Sequence, residues 1–373
     1  MSASSFPTVL KRQLVLAAGA LALIGAVAAT AVAVRTTDAL DLPAAKTPLA
    51  LKSTKLSVAR AGNRLVAVGL RGHILVSEDA GATWRQIDSP VSTDLIAVRF
   101  TSDQVGWIVG HDAVLLHTQD GGQHWERRLD GRTAGQLMID AYAARAQAGD
   151  AEAGRLLDEV KGAVEHSATP GVLPYPFLDV HFRTADEGFL IGAFGLLLHT
   201  ADGGKTWQPW LERADNDKRF HLYAIAGDAD QLVIAGEQGL LRRYDPAQQR
   251  FVTLASPYNG TFFGLNVKGS QVLAFGLRGN AFASDDEGQH WRKVETGIDT
   301  ILVGALRTPD ERLLLIAQNG QVLQADAALT AFQPLPVQRG GDVFGAALAS
   351  PDALVLARVN GMAVASLRGA AAR

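Results

Sequence analysis

The chain of 373 residues contains no cysteine. This absence excludes a disulfide framework, thiolate metal sites, iron–sulfur clusters and a cysteine nucleophile. Positive charge is not in excess either, because the chain has 35 Lys and Arg residues and 38 Asp and Glu residues, which gives a net charge of −3. Without a global basic field, nucleic acid is not expected as a partner. Hydrophobic residues at 47% and charged residues at 20% predict a folded chain with a sizeable core.

Motifs for catalysis and cofactors are also missing. The chain has no H-E-x-x-H, no G-x-S-x-G, no P-loop and no dinucleotide glycine fingerprint. Among the nine histidines, His117 and His199 share one repeat position, and His124 and His290 share another. Repeat equivalence places these residues in separate structural units, which argues against a shared metal site. We therefore predict no metal, no cofactor and no catalytic residue.

An apolar run stands near the amino terminus. Residues 14–34 carry no charge and follow Lys11 and Arg12. A helix of this length would extend ~30 Å, enough to cross a bilayer. Residues 1–35 are thus either a membrane anchor, which the full length of the run favours, or a signal peptide cleaved after an A-x-A site. Both alternatives place the rest of the chain on the periplasmic or lumenal side, with residues 36–46 as a tether.

The chain then repeats an eight-residue box, [ST]-x-D-x-G-x-[TH]-W. An Asp in a tight turn accepts backbone hydrogen bonds, Gly supplies positive φ, and Trp packs between sheets as an apolar wedge. One carboxylate per turn falls short of the 6–8 oxygens that calcium requires, so the box is interpreted as structural. The four intact boxes contain Asp79 and Trp84, Asp120 and Trp125, Asp202 and Trp207, and Asp286 and Trp291.

A second marker recurs with the same period of about 41 residues. Short apolar runs end in a turn seven times, and each repeat contains four short strand patterns. Small antiparallel units of this period predict an all-β fold, a seven-bladed β-propeller over residues 47–368. The seventh repeat offers only three strands, so Leu49–Lys52 or neighbouring residues are candidates for its missing outer strand. The runs end at Gly69, Gly110, Gly192, Gly236, Gly276, Ala317 and Ala357.

One segment interrupts the repeats between blades 2 and 3. Residues of about 131–173 contain two Ala-rich and Leu-rich stretches, 136–148 and 151–166, with Leu156, Val160 and Val164 on one helical face. This periodicity predicts a helical hairpin. It is either a contact element for a partner or a tolerated spacer.

Strand parity indicates where the hairpin lies. In a four-stranded unit, the connections between blades and the turns between strands two and three share one face, and the boxes lie on the other. Arg71 and Arg278 stand in the same Gly-Leu-Arg-Gly turn and could pair with carboxylates of a partner, although turn residues are also commonly just solvated. The candidate partner-binding residues are Arg71, His111, Phe194, Arg278 and Arg358, with Glu237 and Asn319 on the same face.

The phrase His-Thr-x-Asp-Gly-Gly-x-x-Trp within 178–207 resembles Asp-box (BNR-type) propellers. Together with Leu-x-x-Val-x-Phe, carried best by 94–125 and 178–207, it is similar to the photosystem II stability/assembly factor family. The resemblance spans roughly residues 48–368. It implies a non-enzymatic scaffold, in the thylakoid lumen or periplasm, that helps membrane complexes to assemble partly through surface arginines. The helical insertion departs from that pattern and favours a bacterial relative that serves another membrane complex, such as an export system.

The alternative function is a glycosidase or sialidase, because these enzymes also carry Asp-boxes. Such an enzyme needs a carboxylate pair, or a Tyr nucleophile beside an acid. Only Tyr223 and Tyr258 lie in regular repeats, and neither is a good candidate. We therefore expect a monomeric propeller that binds a membrane protein complex, either photosystem-like or a bacterial export system.

Overall fold

A computed structural model of the protein describes residues 38–337 and 340–368. In this part of the chain, 27 strands form seven antiparallel sheets, and each sheet is built from strands that are consecutive in sequence. The apolar run 14–34, predicted as an anchor or signal, lies outside the described residues. Within them, no helix combines the length and the apolar character needed to span a membrane.

The strands are as follows. Sheet 1 contains β1 (Lys55–Ala61), β2 (Arg64–Gly69), β3 (Ile74–Ser77) and β4 (Arg85–Ile87). Sheet 2 contains β5 (Leu95–Phe100), β6 (Gly106–Gly110), β7 (Leu115–Thr118) and β8 (Glu126–Leu129). Sheet 3 contains β9 (Phe177–Phe182), β10 (Gly188–Gly192), β11 (Leu197–Thr200) and β12 (Gln208–Pro209). Sheet 4 contains β13 (Leu222–Gly227), β14 (Leu232–Gly236), β15 (Leu241–Asp245) and β16 (Arg250–Thr253).

Sheet 5 contains β17 (Phe262–Lys268), β18 (Gln271–Gly276), β19 (Ala281–Ser284) and β20 (Arg292–Val294). Sheet 6 contains β21 (Leu302–Arg307), β22 (Leu313–Ala317), β23 (Val322–Ala325) and β24 (Phe332–Pro334). Sheet 7 contains β25 (Val343–Ser350), β26 (Ala353–Arg358) and β27 (Gly361–Ser366).

The sheets close into a ring. The first strand of each sheet contacts the first strand of the next, and β25 of sheet 7 contacts β1 of sheet 1. The second strand of each sheet is buried along almost its whole length. Burial on both faces explains why these strands read as continuous apolar runs rather than as alternating patterns. The described residues thus have an all-β, propeller-like fold.

Each intact box forms the turn between the third and fourth strands of its sheet. The Asp202 carboxylate accepts hydrogen bonds from the Thr206 N–H at 2.9 Å and the Thr206 hydroxyl at 2.6 Å. Gly204 has a φ of +79°, and a Cβ there would lie 2.4 Å from the Trp107 ring of sheet 2. Trp207 is 5% exposed, and its ring centroid lies 6.3 Å from that of Trp107. The box tryptophan therefore packs between adjacent sheets, as the sequence predicts.

The outer edge of sheet 7 differs from the prediction. Residues 49–52 do not form its fourth strand, because Pro48–Lys52 is a 3₁₀ helix. The Thr47 hydroxyl accepts a hydrogen bond from the Leu49 N–H at 3.3 Å, and Pro48 supplies the backbone angle that suits a first helical position. This 3₁₀ helix contacts β27 and β4. It pairs with neither strand as part of a sheet, and sheet 7 keeps three strands.

Lys55 fixes the 3₁₀ helix to the ring. Its side chain is fully buried, and Nζ donates to the Ala50 carbonyl at 2.8 Å, the Ser53 carbonyl at 3.0 Å and the Ser53 hydroxyl at 2.8 Å. Burial lowers the pKa of Lys55 to about 8. The three acceptors offset part of the cost of removing an ammonium group from water.

The helical hairpin lies between β8 and β9 and contains α1 (Gly131–Gln147) and α2 (Ala151–Glu165). The first helix begins five residues before the predicted position, because Asp130 caps it. The Asp130 carboxylate accepts from the N–H groups of Arg132 and Thr133 at 3.0 Å, and the Thr133 hydroxyl accepts from the Asp130 N–H at 2.9 Å. This reciprocal pair is a capping box.

The hairpin packs on sheet 3 and on the connection that follows it. Tyr142 of α1 is fully buried, and its hydroxyl donates to Glu212 at 3.0 Å and accepts from the Leu211 N–H at 3.2 Å. Arg219 forms a bidentate ion pair with Glu159 of α2, at 2.8 and 3.0 Å. A spacer without fixed contacts would show neither feature.

Residues 39–46, predicted as a tether, pack against the ring. Leu40 is 1% exposed. The Ser92 N–H donates to the Ala39 carbonyl at 2.9 Å, and the Ala44 N–H donates to the Ser89 carbonyl at 3.2 Å. This segment thus runs along the connection between sheets 1 and 2.

We predict that Tyr142→Phe lowers the free energy of unfolding by about 1–3 kcal/mol, because it leaves the buried Leu211 N–H without an acceptor. Urea unfolding followed by circular dichroism measures the change. Tyr175→Phe is the matched control: this half-buried tyrosine has no hydroxyl partner among the described residues, and its effect should stay within about 0.5 kcal/mol. Equal effects of the two substitutions would contradict the docking role of Tyr142.

The boxes predict a specific acid sensitivity. Hydrogen bonds from the hydroxyl and then the N–H of Thr83 and Thr206 lower the pKa of Asp79 and Asp202 from 3.8 to about 2. A carboxyl whose pKa is depressed on folding stabilises the protein above its unfolded pKa and loses that contribution as the pH falls through the folded value. The melting temperature should therefore fall between pH 4 and pH 2.

The double variant Asp79→Asn, Asp202→Asn should melt lower at pH 7 and show a shallower fall between pH 4 and pH 2, because neither amide titrates. Thermal unfolding across that pH range tests this. An acid slope as steep as that of the unchanged protein would show that the box carboxylates do not set it.

Candidate functional site

The turns between the second and third strands form one rim of the ring. Five turns place a non-glycine residue in the left-handed region at their tip, a conformation that such residues rarely adopt. His111 and Glu237, predicted on this same face, occupy the position before the tip, and Asp112 and Gln238 follow them at the tip. The equivalent tip residues are Arg71 (φ 60°), Asp112 (φ 53°), Phe194 (φ 55°), Gln238 (φ 50°) and Arg278 (φ 55°).

Each of the seven turns is tied to the start of the first strand of its own sheet. The first or second turn residue donates its N–H to a carbonyl just before a first strand, at 2.8–3.3 Å. These bonds fix the turns close to the central channel. The donor and acceptor pairs are Leu70 and Thr54, His111 and Asp94, Ala193 and Pro176, Glu237 and His221, Leu277 and Thr261, Gln318 and Ile301, and Val359 and Asp342.

The return of the helical insertion reaches the same rim. The Ala113 N–H donates to the Tyr175 carbonyl at 3.0 Å. The rings of Tyr175 and Phe194 lie 4.5 Å apart, and Phe194 also contacts His221 at 4.7 Å. We call this surface, made of the seven turns, the connections between sheets and the hairpin, the insertion rim.

Arg71 and Arg278 are the exposed cations at equivalent tips of the insertion rim. The Arg71 N–H donates to the Asp94 carboxylate at 2.7 Å, which holds the turn in place. Within residues 38–337 and 340–368, neither guanidinium group has a hydrogen-bond or ion-pair partner. Both groups are therefore available to an anion from outside.

The other predicted residues differ in their availability. Phe194 is 46% exposed, and the His111 side chain is exposed. The Arg358 side chain is half-buried and folds back over Gly340. A Cβ added at Gly340 would lie 2.6 Å from the Nη2 atom of Arg358. Its Nε is buried and has no hydrogen-bond acceptor in the described part of the chain. Arg358 thus contributes less to the free surface than Arg71 or Arg278.

The insertion rim surrounds the mouth of a central channel of about 760 Å³. Every first strand contains a β-bulge at its second residue, where the pairing with the second strand skips one position. A bulge turns the skipped residue away from the regular ladder. The seven skipped residues are all apolar or aromatic and line the channel: Leu56, Ile96, Leu178, Tyr223, Phe263, Val303 and Phe344.

The polar groups deeper in the channel are few. Arg99 and Asp179 form an ion pair at 3.0 Å, in which the Asp179 side chain is 4% exposed. His181 lies beside them; its Nε2 is buried and has no partner among the described residues, and burial lowers its pKa. No sequence motif points to this cluster, because the three residues stand on first strands that lack a distinctive pattern.

Four histidines contact residues of their own repeats. His117 stacks on Trp107 at 4.1 Å and His199 on Trp210 at 3.9 Å. The box histidines contact the carboxylate of their own box at 2.6 Å, in the pairs His124 with Asp120 and His290 with Asp286. The described residues contain no group of three or more His, Asp or Glu side chains arranged to hold a metal ion.

Comparison with known proteins places this architecture in a family. Residues 31–148 and 172–291 match the family model described as photosynthesis system II assembly factor YCF48. The unmatched residues between these ranges include α2 of the hairpin. The photosystem II assembly lipoprotein Ycf48 of Synechococcus sp. (strain CC9902) is 23% identical over 69% of this chain and 67% of its own length.

A second relative is the chloroplastic photosystem II stability/assembly factor HCF136 of Arabidopsis thaliana, which is 24% identical over 74% of this chain and 54% of its own length. Among solved structures, "YCF48 bound to D1 peptide" has a TM-score of 0.57 at 16% identity and covers 89% of this chain and 99% of its own. YCF48 from Cyanidioschyzon merolae has a TM-score of 0.59 at 14% identity, with coverages of 86% and 97%. At these identities the structures show the shared fold alone, whereas the family model covers most of the chain. The chain therefore belongs to the photosynthesis system II assembly factor YCF48 family.

Proposed function

We propose that this chain is a seven-bladed propeller with a helical-hairpin insertion that acts as a non-enzymatic scaffold. It binds a membrane protein complex and helps it to assemble or remain stable, on the periplasmic or lumenal side of a membrane. Two facts support the proposal: membership of the YCF48 family, and a neighbouring structure in which YCF48 is bound to a D1 peptide. We also propose that the propeller is monomeric and that residues 14–34 anchor it.

The partner binds at the insertion rim. The observation that carries this assignment is the pair of exposed arginines, Arg71 and Arg278, at equivalent turn tips without an anionic partner among the described residues. Guanidinium groups bind carboxylates through two parallel hydrogen bonds, which gives direction as well as attraction. Phe194, which is 46% exposed, adds an apolar contact. His111 and Arg358 are the remaining residues of the proposed binding site.

The hairpin provides a criterion for the identity of the bound complex. It is held on the insertion rim by buried contacts, so it presents a fixed shape to whatever approaches. Its second helix lies outside the part of the chain that the family model matches. A photosystem-like complex and a bacterial export system both fit a scaffold of this kind, and the hairpin favours a partner other than photosystem II itself.

The enzymatic alternative finds little support in the channel. A tyrosine nucleophile requires a readily formed phenolate. Burial, and then the charge of Glu237, raise the pKa of Tyr223, which opposes that requirement. In the described residues that line the channel, Asp179 is the only carboxylate, and Arg99 pairs with it. A carboxylate pair of the glycosidase type is therefore not formed there.

We predict that the double variant Arg71→Glu, Arg278→Glu recovers at least about tenfold less partner complex from solubilised membranes, because it replaces two attractive charges with two repulsive ones. Its melting temperature should be unchanged, since both side chains are exposed. The matched control is Arg60→Glu, Lys205→Glu, which makes the same charge change at exposed positions toward the box side. Equal recovery with both double variants would count against the insertion rim as the site.

We further predict that the purified protein does not hydrolyse sialosides or aryl glycosides. Incubation with fluorogenic substrates of both classes, with a sialidase as positive control, provides the measurement. Turnover that Tyr223→Phe abolishes would establish the enzymatic alternative and overturn the scaffold proposal.

A further inference from the structure

Sheet 7 has an open outer edge. The other six sheets end in a fourth strand of two to four residues, whereas sheet 7 ends in β27. An unpaired edge strand presents N–H and C=O groups that can pair with another strand. Proteins commonly protect such edges with charges or proline, but β27 has the sequence Gly-Met-Ala-Val-Ala-Ser, without either.

The register identifies the groups on this edge. The Leu367 N–H donates to the Asp352 carbonyl at 2.8 Å, which marks Ser366 and Ala353 as a non-hydrogen-bonded pair. Bonded and non-bonded pairs alternate in an antiparallel ladder. The backbone groups of Met362, Val364 and Ser366 therefore point away from β26. No residue of the described chain pairs with them.

Exposed apolar side chains gather around the same edge. The described residues contain six large apolar side chains that are clearly exposed, and four of them lie on β27 or on the segments beside it. The 3₁₀ helix contacts β27, and the Thr54 hydroxyl donates to the Val359 carbonyl at 3.0 Å. The four residues are Leu49 (69% exposed), Leu51 (41%), Val359 (46%) and Val364 (52%).

We propose that the edge of β27 binds an extended aliphatic segment of a partner protein, which adds to sheet 7 as its fourth strand. Main-chain hydrogen bonds provide affinity in this mode, and alternate side chains provide specificity. The outer strands of the other sheets indicate that two to four residues of the segment would pair. This site is separate from the arginines of the insertion rim and does not depend on them.

Charge favours such a segment over a second copy of this chain. Lys52 is exposed at the end of the 3₁₀ helix and has no acidic partner in the described residues, and Arg368 follows the other end of β27. Antiparallel pairing of two copies would bring Lys52 of each copy toward Arg368 of the other, and Arg368 is already paired with Asp352, so a second copy offers Lys52 no unpaired carboxylate there. A segment with an acidic residue beside its aliphatic residues complements both the edge and Lys52.

The test uses the full chain in detergent and a synthetic probe, acetyl-Asp-Val-Thr-Val-Thr-Val-amide, at millimolar concentration. Hydrogen–deuterium exchange with single-residue resolution is read along β27. We expect exchange to slow by about tenfold or more at Val364 and at one of its outward neighbours, Met362 or Ser366, with little change at Ala363 and Ala365, whose N–H groups already bond to β26. A control peptide with proline in place of the first Thr should have no effect.

Two variants make the test specific. Val364→Pro removes an outward N–H without removing a bond to β26, so it should abolish the protection, whereas Val364→Thr should retain it. Thermal unfolding checks that both variants are folded. The double variant Arg71→Glu, Arg278→Glu should retain full protection, so failure of the insertion rim and failure of this edge can be told apart.

Three outcomes would overturn the proposal. The first is no protection at millimolar probe, and the second is uniform protection along the strand that Val364→Pro does not change. The third is an edge that is already protected without probe. Sedimentation would then reveal pairing of two copies, and truncation after Arg368 would reveal pairing with residues 369–373.

Discussion

A small four-stranded sheet with two apolar faces cannot exist alone, and this constraint governs the molecule. The second strand of every sheet is buried on both faces, so each sheet requires a neighbour on either side. A ring satisfies that requirement for all sheets at once. The wedge tryptophans and close-packed glycines, such as Trp207 and Gly204 against Trp107, are consequences of sheets packed face to face.

Burial of both faces leaves the rims as the places where the chain can vary. The turns of the insertion rim are not loose, however. Each donates a backbone hydrogen bond to a strand start, and glycines such as Gly72 approach the neighbouring connection so closely that a Cβ would lie 2.0 Å from the Val91 carbonyl. Fixed turns hold Arg71, Phe194 and Arg278 in equivalent positions around the channel. A partner would thus meet a preorganised surface, which lowers the entropic cost of binding.

The repeats could be predicted from the sequence because their turn chemistry recurs with one period. Asp, Gly and Trp each have a physical role that few other residues can fill. The sequence predicts the hairpin but not its first turn, because glycine at position 131 is unusual inside a helix. Glycine is required there because a Cβ at position 131 would lie 2.5 Å from the Leu173 carbonyl oxygen. The β-bulges could not be predicted, because the skipped residues share no residue type, as Leu56 and Tyr223 illustrate. Nor could the ion pair of Arg99 and Asp179 be predicted, because it depends on the first strands of the neighbouring sheets 2 and 3 lying side by side at the channel.

The seam of the ring explains why an open edge persists. Where a ring closes by completing its last sheet with a strand from the other terminus, the last sheet has four strands like the others. Here β25 and β26 contact β1 directly, so face packing alone closes the ring. The preceding segment is held instead as a 3₁₀ helix, through the three hydrogen bonds of the buried Lys55. Because Lys55 holds Pro48–Lys52 as a 3₁₀ helix, this segment cannot pair with β27 as a strand. The outward backbone N–H and C=O groups of β27 are therefore left for a strand from another protein.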